Sequence, residues 1–70
     1  MLLQTYQTHT GLLVALQREG DRGSYEFVVS ITGGLIKELL RTPDKKAATT
    51  YFKGLVKTYE EYKASVANVV

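Results

Sequence analysis

The rhythm of hydrophobic and polar positions changes once along this chain. Up to Arg41 the apolar residues come in short runs of near-alternating pattern, cut by glycine-bearing turns; from Thr42 onward they recur three and four apart to the C-terminus. Period two predicts strands and period 3.6 predicts a helix.

The turn signals divide the first part into four segments. Leu2 to His9 is rich in Thr, Gln and Tyr, alternates poorly and is read as a strand ending at a Thr10-Gly11 turn. Leu12 to Arg18 sets Leu12, Val14 and Leu16 on one face and Leu13, Ala15 and Gln17 on the other, so both faces are largely apolar. Glu19-Gly20-Asp21-Arg22-Gly23 is charged and glycine-rich, the composition of a loop. Ser24 to Thr32 alternates cleanly, with Tyr25, Phe27, Val29 and Ile31 against Glu26, Val28, Ser30 and Thr32. Gly33-Gly34 suits a two-residue hairpin turn. The segment 35–41, LIKELLR, fits a helix by propensity and a strand by context. A hairpin turn needs a returning strand, and the position before Pro43 is pushed out of the α region, so a strand is expected.

From Thr42 the helix reading is plain. Thr42 is placed as N-cap, Pro43 as first helical residue and Asp44 as a first-turn acid. Ala48, Phe52, Leu55, Tyr59, Tyr62, Val66 and Val69 then form an unbroken heptad seam, flanked by Tyr51 and Val56. Gly54 stands away from the seam among charged residues, where it costs roughly 1 kcal/mol against alanine.

The predicted fold is therefore α+β: one domain, 1–70, an antiparallel β-meander of three or four strands packed by one long C-terminal helix, in the order β-β-β-β-α. A helix from Pro43 to about Ala67 is roughly 36 Å long, and a seven-residue strand spans about 24 Å. The end of the seam overhangs such a sheet. An apolar seam beyond its own sheet, together with Leu13, Ala15 and Val28 on the second sheet face, calls for a partner. Phe52, Leu55, Tyr59, Tyr62, Val66, Val69, Leu13, Ala15 and Val28 are accordingly the candidate interface of a homodimer or higher homo-oligomer, with another protein as partner also possible in chemical terms.

Composition narrows the function. Seventy residues, 44% hydrophobic and 23% charged, are too apolar for disorder and too interrupted by charge for a membrane span. A domain of this size without cysteine has no disulfide or thiol chemistry and needs good packing or a second chain. Met1-Leu2-Leu3-Gln4-Thr5 lacks the features of a secretory signal, so no membrane attachment and a cytoplasmic location are expected.

No set of residues suggests catalysis. The single histidine, His9, sits beside a turn without a partnered nucleophile, and Glu60 and Glu61 project about 100° apart on a helix. One histidine with scattered acids makes no metal set, and Thr32-Gly33-Gly34 is too short for a phosphate loop. No cofactor is expected, nor an enzyme.

Charge is uneven. Residues 1–17 carry no Lys, Arg, Asp or Glu, whereas Lys37, Arg41, Lys45, Lys46, Lys53 and Lys57 stand against Glu38 and Asp44, six minus two, a local excess of +4. With Tyr6, the tyrosine outside the core pattern, these six form the candidate contact for single-stranded nucleic acid. In element order alone, four strands then a helix, the chain resembles the PUR-repeat and Whirly-type single-strand binders, which work as paired β-β-β-β-α units; no sequence motif of theirs is present. Two functions are thus expected, in order: a non-enzymatic interaction or accessory module that homo-oligomerises through its helix and second sheet face, and a single-stranded nucleic-acid binder.

Overall fold

The computed structural model describes residues 1–67, and the side chains of residues 1–64. Strands β1 (Leu2–Gln7), β2 (Leu13–Asp21), β3 (Ser24–Thr32) and β4 (Ile36–Thr42) precede one helix, α1 (Lys45–Ala67). The strands form one antiparallel sheet in the order β1-β2-β3-β4, and α1 packs on one face of it. The α+β meander with a C-terminal helix is the fold expected, and the segment after Gly33-Gly34 is a strand.

The core lies between sheet and helix. Val14, Leu16, Phe27 and Val29 of the two central strands meet Ala48 and Phe52 of α1, with Leu3, Tyr6, Ile31, Leu40, Leu55, Val56 and Tyr59 around them. Ala48 is fully buried in this core, where a larger side chain would lift the helix. Burial then falls along the helix: Phe52 is in the core, Leu55 and Tyr59 are half-buried, and Tyr62 is 56% exposed.

Several boundaries differ from the sequence reading. The charged stretch 19–23 is not a loop: β2 and β3 continue as a paired ladder to Asp21 opposite Ser24, leaving only Arg22-Gly23 as the turn. Gly23, at φ 86°, takes the left-handed position that ends it. The next hairpin turns through Gly33, Gly34 and Leu35, one residue more than a tight hairpin, with Gly34 at φ 103°. β1 ends at Gln7 and not at His9, because Thr8 organises the turn. Its side-chain oxygen accepts from the Leu12 N–H at 2.9 Å, and its own N–H donates to the Leu12 carbonyl at 2.8 Å.

The helix cap also moves. Thr42 belongs to β4, held opposite Phe27, and its hydroxyl accepts from the Asp44 N–H at 3.2 Å. Asp44 is the N-cap: its carboxylate accepts from the Lys46 N–H at 3.0 Å, and its carbonyl accepts the first helical bond from Ala48 at 3.1 Å. Pro43 sits just outside the helix, in the bend where the chain leaves the sheet.

Candidate functional site

Directly opposed residues of an antiparallel pair point to the same face, so the register lays out the uncovered side of the sheet row by row. At one end Gln7, Leu13, Thr32 and Ile36 share a row across all four strands. Next come Thr5, Ala15, Ser30 and Glu38, then Leu2, Gln17, Val28 and Arg41, then Glu19 opposite Glu26, and finally Asp21 opposite Ser24. Among the described residues no element lies over these rows, since α1 packs on the Val14, Leu16, Phe27 and Val29 side.

The face has two different ends. At the first, Ile36 is 77% and Leu13 40% exposed, and Leu35 in the adjoining turn is 87% exposed. The middle is made of short side chains, Ala15, Ser30 and Val28, which are buried although no helix covers them. They lie on the two central strands, each flanked by a strand on both sides.

The other end is ionic. The Arg41 guanidinium donates to Glu38 through Nε at 2.9 Å and Nη2 at 3.0 Å, a two-point pairing. The same group reaches Glu19 at 2.8 Å and Glu26 at 3.6 Å. Glu19 and Glu26 oppose each other directly across β2 and β3, a repulsive arrangement that the guanidinium between them offsets. Hydrogen bonding from Arg41 holds the Glu38 carboxyl below its usual range, and bonding to Glu38 and Glu19 raises the guanidinium pKa further. Three carboxylates against one cation leave the Arg41 cluster at net −2.

Glu38 and Arg41 share a face only because β4 carries a bulge. Leu40 pairs with Val29 and Glu38 with Ser30, so Leu39 has no partner and the alternation slips by one there. β1 has a matching irregularity between Leu2 and Gln4, and Leu3 and Tyr6 consequently both reach the core. These two bulges explain why both edge segments alternate badly in sequence.

The structure scatters the residues singled out for nucleic acid. Arg41 is on the open face, engaged by carboxylates, while Lys37 stands opposite Ile31 and so belongs to the helix side of β4. Lys45, Lys46, Lys53 and Lys57 are on α1. At 100° per residue Lys46, Lys53 and Lys57 fall within about 40° of one another, opposite Ala48 and Phe52, and all three are exposed. Tyr6 does not join them: it is half-buried, and its hydroxyl donates to Glu60 at 2.6 Å. That hydrogen bond, with partial burial, raises the Tyr6 pKa above its ordinary value.

The residues proposed for a helix interface are divided likewise. Phe52 is buried and Leu55 and Tyr59 are half-buried against the chain's own sheet. Tyr62 lies over the His9 ring, centroids 5.5 Å apart, at the β1–β2 turn. The Val66 side chain and Val69 lie outside the described residues. Of the sheet-face set, Leu13 is exposed, and Ala15 and Val28 form the closed floor of the face. Sequence reasoning missed Ile36, Glu19, Glu26 and the role of Arg41; Ile36 directly after a glycine turn was the one visible signal.

Among the described residues no concave pocket is found, no group of His, Asp and Glu is placed to hold a metal ion, and no helix is long and apolar enough to cross a membrane. The chain matches no protein-family model, no curated protein and no solved structure.

Proposed function

We propose that this chain is a non-enzymatic interaction module, and that the open face of its sheet is the contact surface. The observation that carries this reading is the pairing of exposed Ile36 and Leu13 at one end with the net-negative Arg41 cluster at the other. Two copies stacked through this whole face would oppose carboxylate to carboxylate or to leucine, which is costly. The chemistry fits instead a protein segment with an apolar side chain for the Leu13–Ile36 end and Lys or Arg for the glutamate end. Much of the helix seam is already occupied by the chain's own sheet, which leaves the open face as the larger free surface.

Selection of a random peptide library on the intact protein tests this. Enriched peptides should combine a large apolar residue with Lys or Arg, and should lose binding to Ile36→Asp and to Glu26→Lys but not to Lys53→Glu. Peptides indifferent to both sheet-face substitutions would remove the reading.

A second reading rests on the Lys46, Lys53 and Lys57 stripe, which is a backbone-phosphate surface without a stacking platform. It predicts weak, sequence-indifferent, salt-sensitive binding of single-stranded oligonucleotides that Lys53→Glu with Lys57→Glu abolishes. No binding at low salt would exclude it.

A further inference from the structure

We infer that two copies of this chain pair edge to edge through β1, antiparallel about Thr5, to make one eight-stranded sheet. β1 and β4 are the two edges of the sheet, and they are built differently. Both edges carry a bulge, but β4 also carries Lys37, Glu38 and Arg41, and charge is a device that keeps an edge from pairing. β1, with the sequence LLQTYQ, has no charged side chain, and residues 1–17 contain no Lys, Arg, Asp or Glu.

The backbone direction follows from the hydrogen bonds at both ends of β1. The Thr8 N–H donates to Leu12, so residue 8 points toward β2; Met1 exchanges bonds with Arg18 and also points inward. Alternation from Thr8 puts Tyr6 and Gln4 inward, and the bulge between Leu2 and Gln4 reconciles this with Met1. The N–H and C=O groups of Thr5 and Gln7 therefore point away from the sheet, along the free edge.

A two-fold axis perpendicular to the sheet at Thr5 satisfies the Thr5 groups and sets Gln7 opposite Leu3, the bulge residue, of the second copy. Thr5 then pairs with Thr5 of the second copy through two backbone bonds, and Gln4 lies beside Tyr6 of that copy. Neither strand contributes a charged side chain to the contact, and both helices stay on one side and both open faces on the other. A charged partner strand has nothing to pair with on this edge, whereas a second β1 matches it in polarity and length.

Pairing also bears on the contact surface proposed above, and this part rests on that reading. Four strands about 4.8 Å apart and about 24 Å long present roughly 460 Å² in plan, below the about 800 Å² per partner of a stable protein interface. Two faces made continuous exceed it.

Sedimentation equilibrium on the full chain at about 100 μM, with far-UV circular dichroism to confirm folding, tests the pairing. The wild type should have twice the 7.8 kDa chain mass. Thr5→Pro removes an N–H that the sheet itself does not use, and Thr5→Lys places a charge on the edge; each should halve the mass with the dichroism unchanged. Ile36→Asp, which damages the open face, should leave the dimer intact. Amide exchange at Thr5 and Gln7 should be slow in the wild type and fast in Thr5→Lys. A monomeric wild type, or a dimer that survives both Thr5 substitutions, overturns the proposal. A dimer lost in Thr5→Lys and kept in Ile36→Asp sustains it even where no peptide binds the open face.

Discussion

Glu38 and Arg41 are three residues apart on one strand, yet their side chains meet on the same face of the sheet in a two-point ion pair at 2.9 and 3.0 Å. In a regular strand residues three apart point to opposite faces. The unpaired Leu39 between them supplies the extra residue that brings them together, and Leu40 still faces the core. The bulge thus does two things at once: it blunts the β4 edge and it builds the ionic end of the open face.

Arg41→Met should destabilise the domain at neutral pH, because it leaves Glu19 and Glu26 opposed without a cation and frees Glu38. Glu38 has a lowered pKa in the fold, so its contribution is present above the ordinary glutamate value of about 4.3 and is lost as pH falls through the lower folded value. Urea midpoints of wild type and variant should therefore differ at pH 7 and converge toward pH 3. A difference independent of pH would show that Arg41 acts through packing of its stem.

The Tyr6–Glu60 bond ties the second half of the helix to the edge strand. Tyr6 has a raised pKa, so its contribution is complete below the ordinary tyrosine value of about 10 and is lost as pH rises through the higher folded value. Tyr6→Phe should accelerate amide exchange around Glu60 to Tyr62 while leaving exchange near Phe52 unchanged. Equal acceleration in both places would mean that the bond supports the whole domain.

Phe52→Ala should cost about 3–5 kcal/mol, enough to unfold most molecules of a domain this small, since Phe52 fills the core beneath the central strands. Tyr62→Ala should cost less than about 1 kcal/mol, the range of surface changes, since Tyr62 is 56% exposed. Chemical denaturation of the two variants measures the gradient of burial along α1. Similar losses would place the second half of the helix in the core as well.

Gly54→Ala should stabilise the protein by up to about 1 kcal/mol. A Cβ at that position meets nothing within 4 Å, so no close packing requires the glycine. Loss of stability in this variant would point to a contact made on the outer side of the helix, as in an assembly.

Much of the architecture was legible because local rules and tertiary demands agree. Ser24 to Thr32 alternates without a break because it is a central strand paired on both sides, and its bounds are those the pattern predicts. Ala48 and Phe52 keep helical spacing because one stripe of α1 must meet the sheet. The edges were less legible. LLQTYQ and LIKELLR alternate poorly because each contains a bulge, and a bulge is visible only when the partner strand shows which residue has no opposite. The stretch 19–23 read as a loop because Gly20 and charge look like a turn, yet pairing of Glu19 and Gly20 with Glu26 and Tyr25 holds it in the ladder.

The sequence by itself determined the element order, the helix and its buried stripe, because these depend on side-chain period and on a few turn and capping residues. Which charges become neighbours was decided only by the tertiary structure. Lys37, Arg41 and Lys46 are close in sequence and read as one basic patch, but a β-strand sends successive side chains to opposite faces and the helix turns Lys46, Lys53 and Lys57 away from the sheet. Arg41 therefore stands among carboxylates contributed by three strands, and Lys37 and Lys46 stand on the helix side of the sheet. Register across the sheet creates that separation, and no one-dimensional pattern contains it.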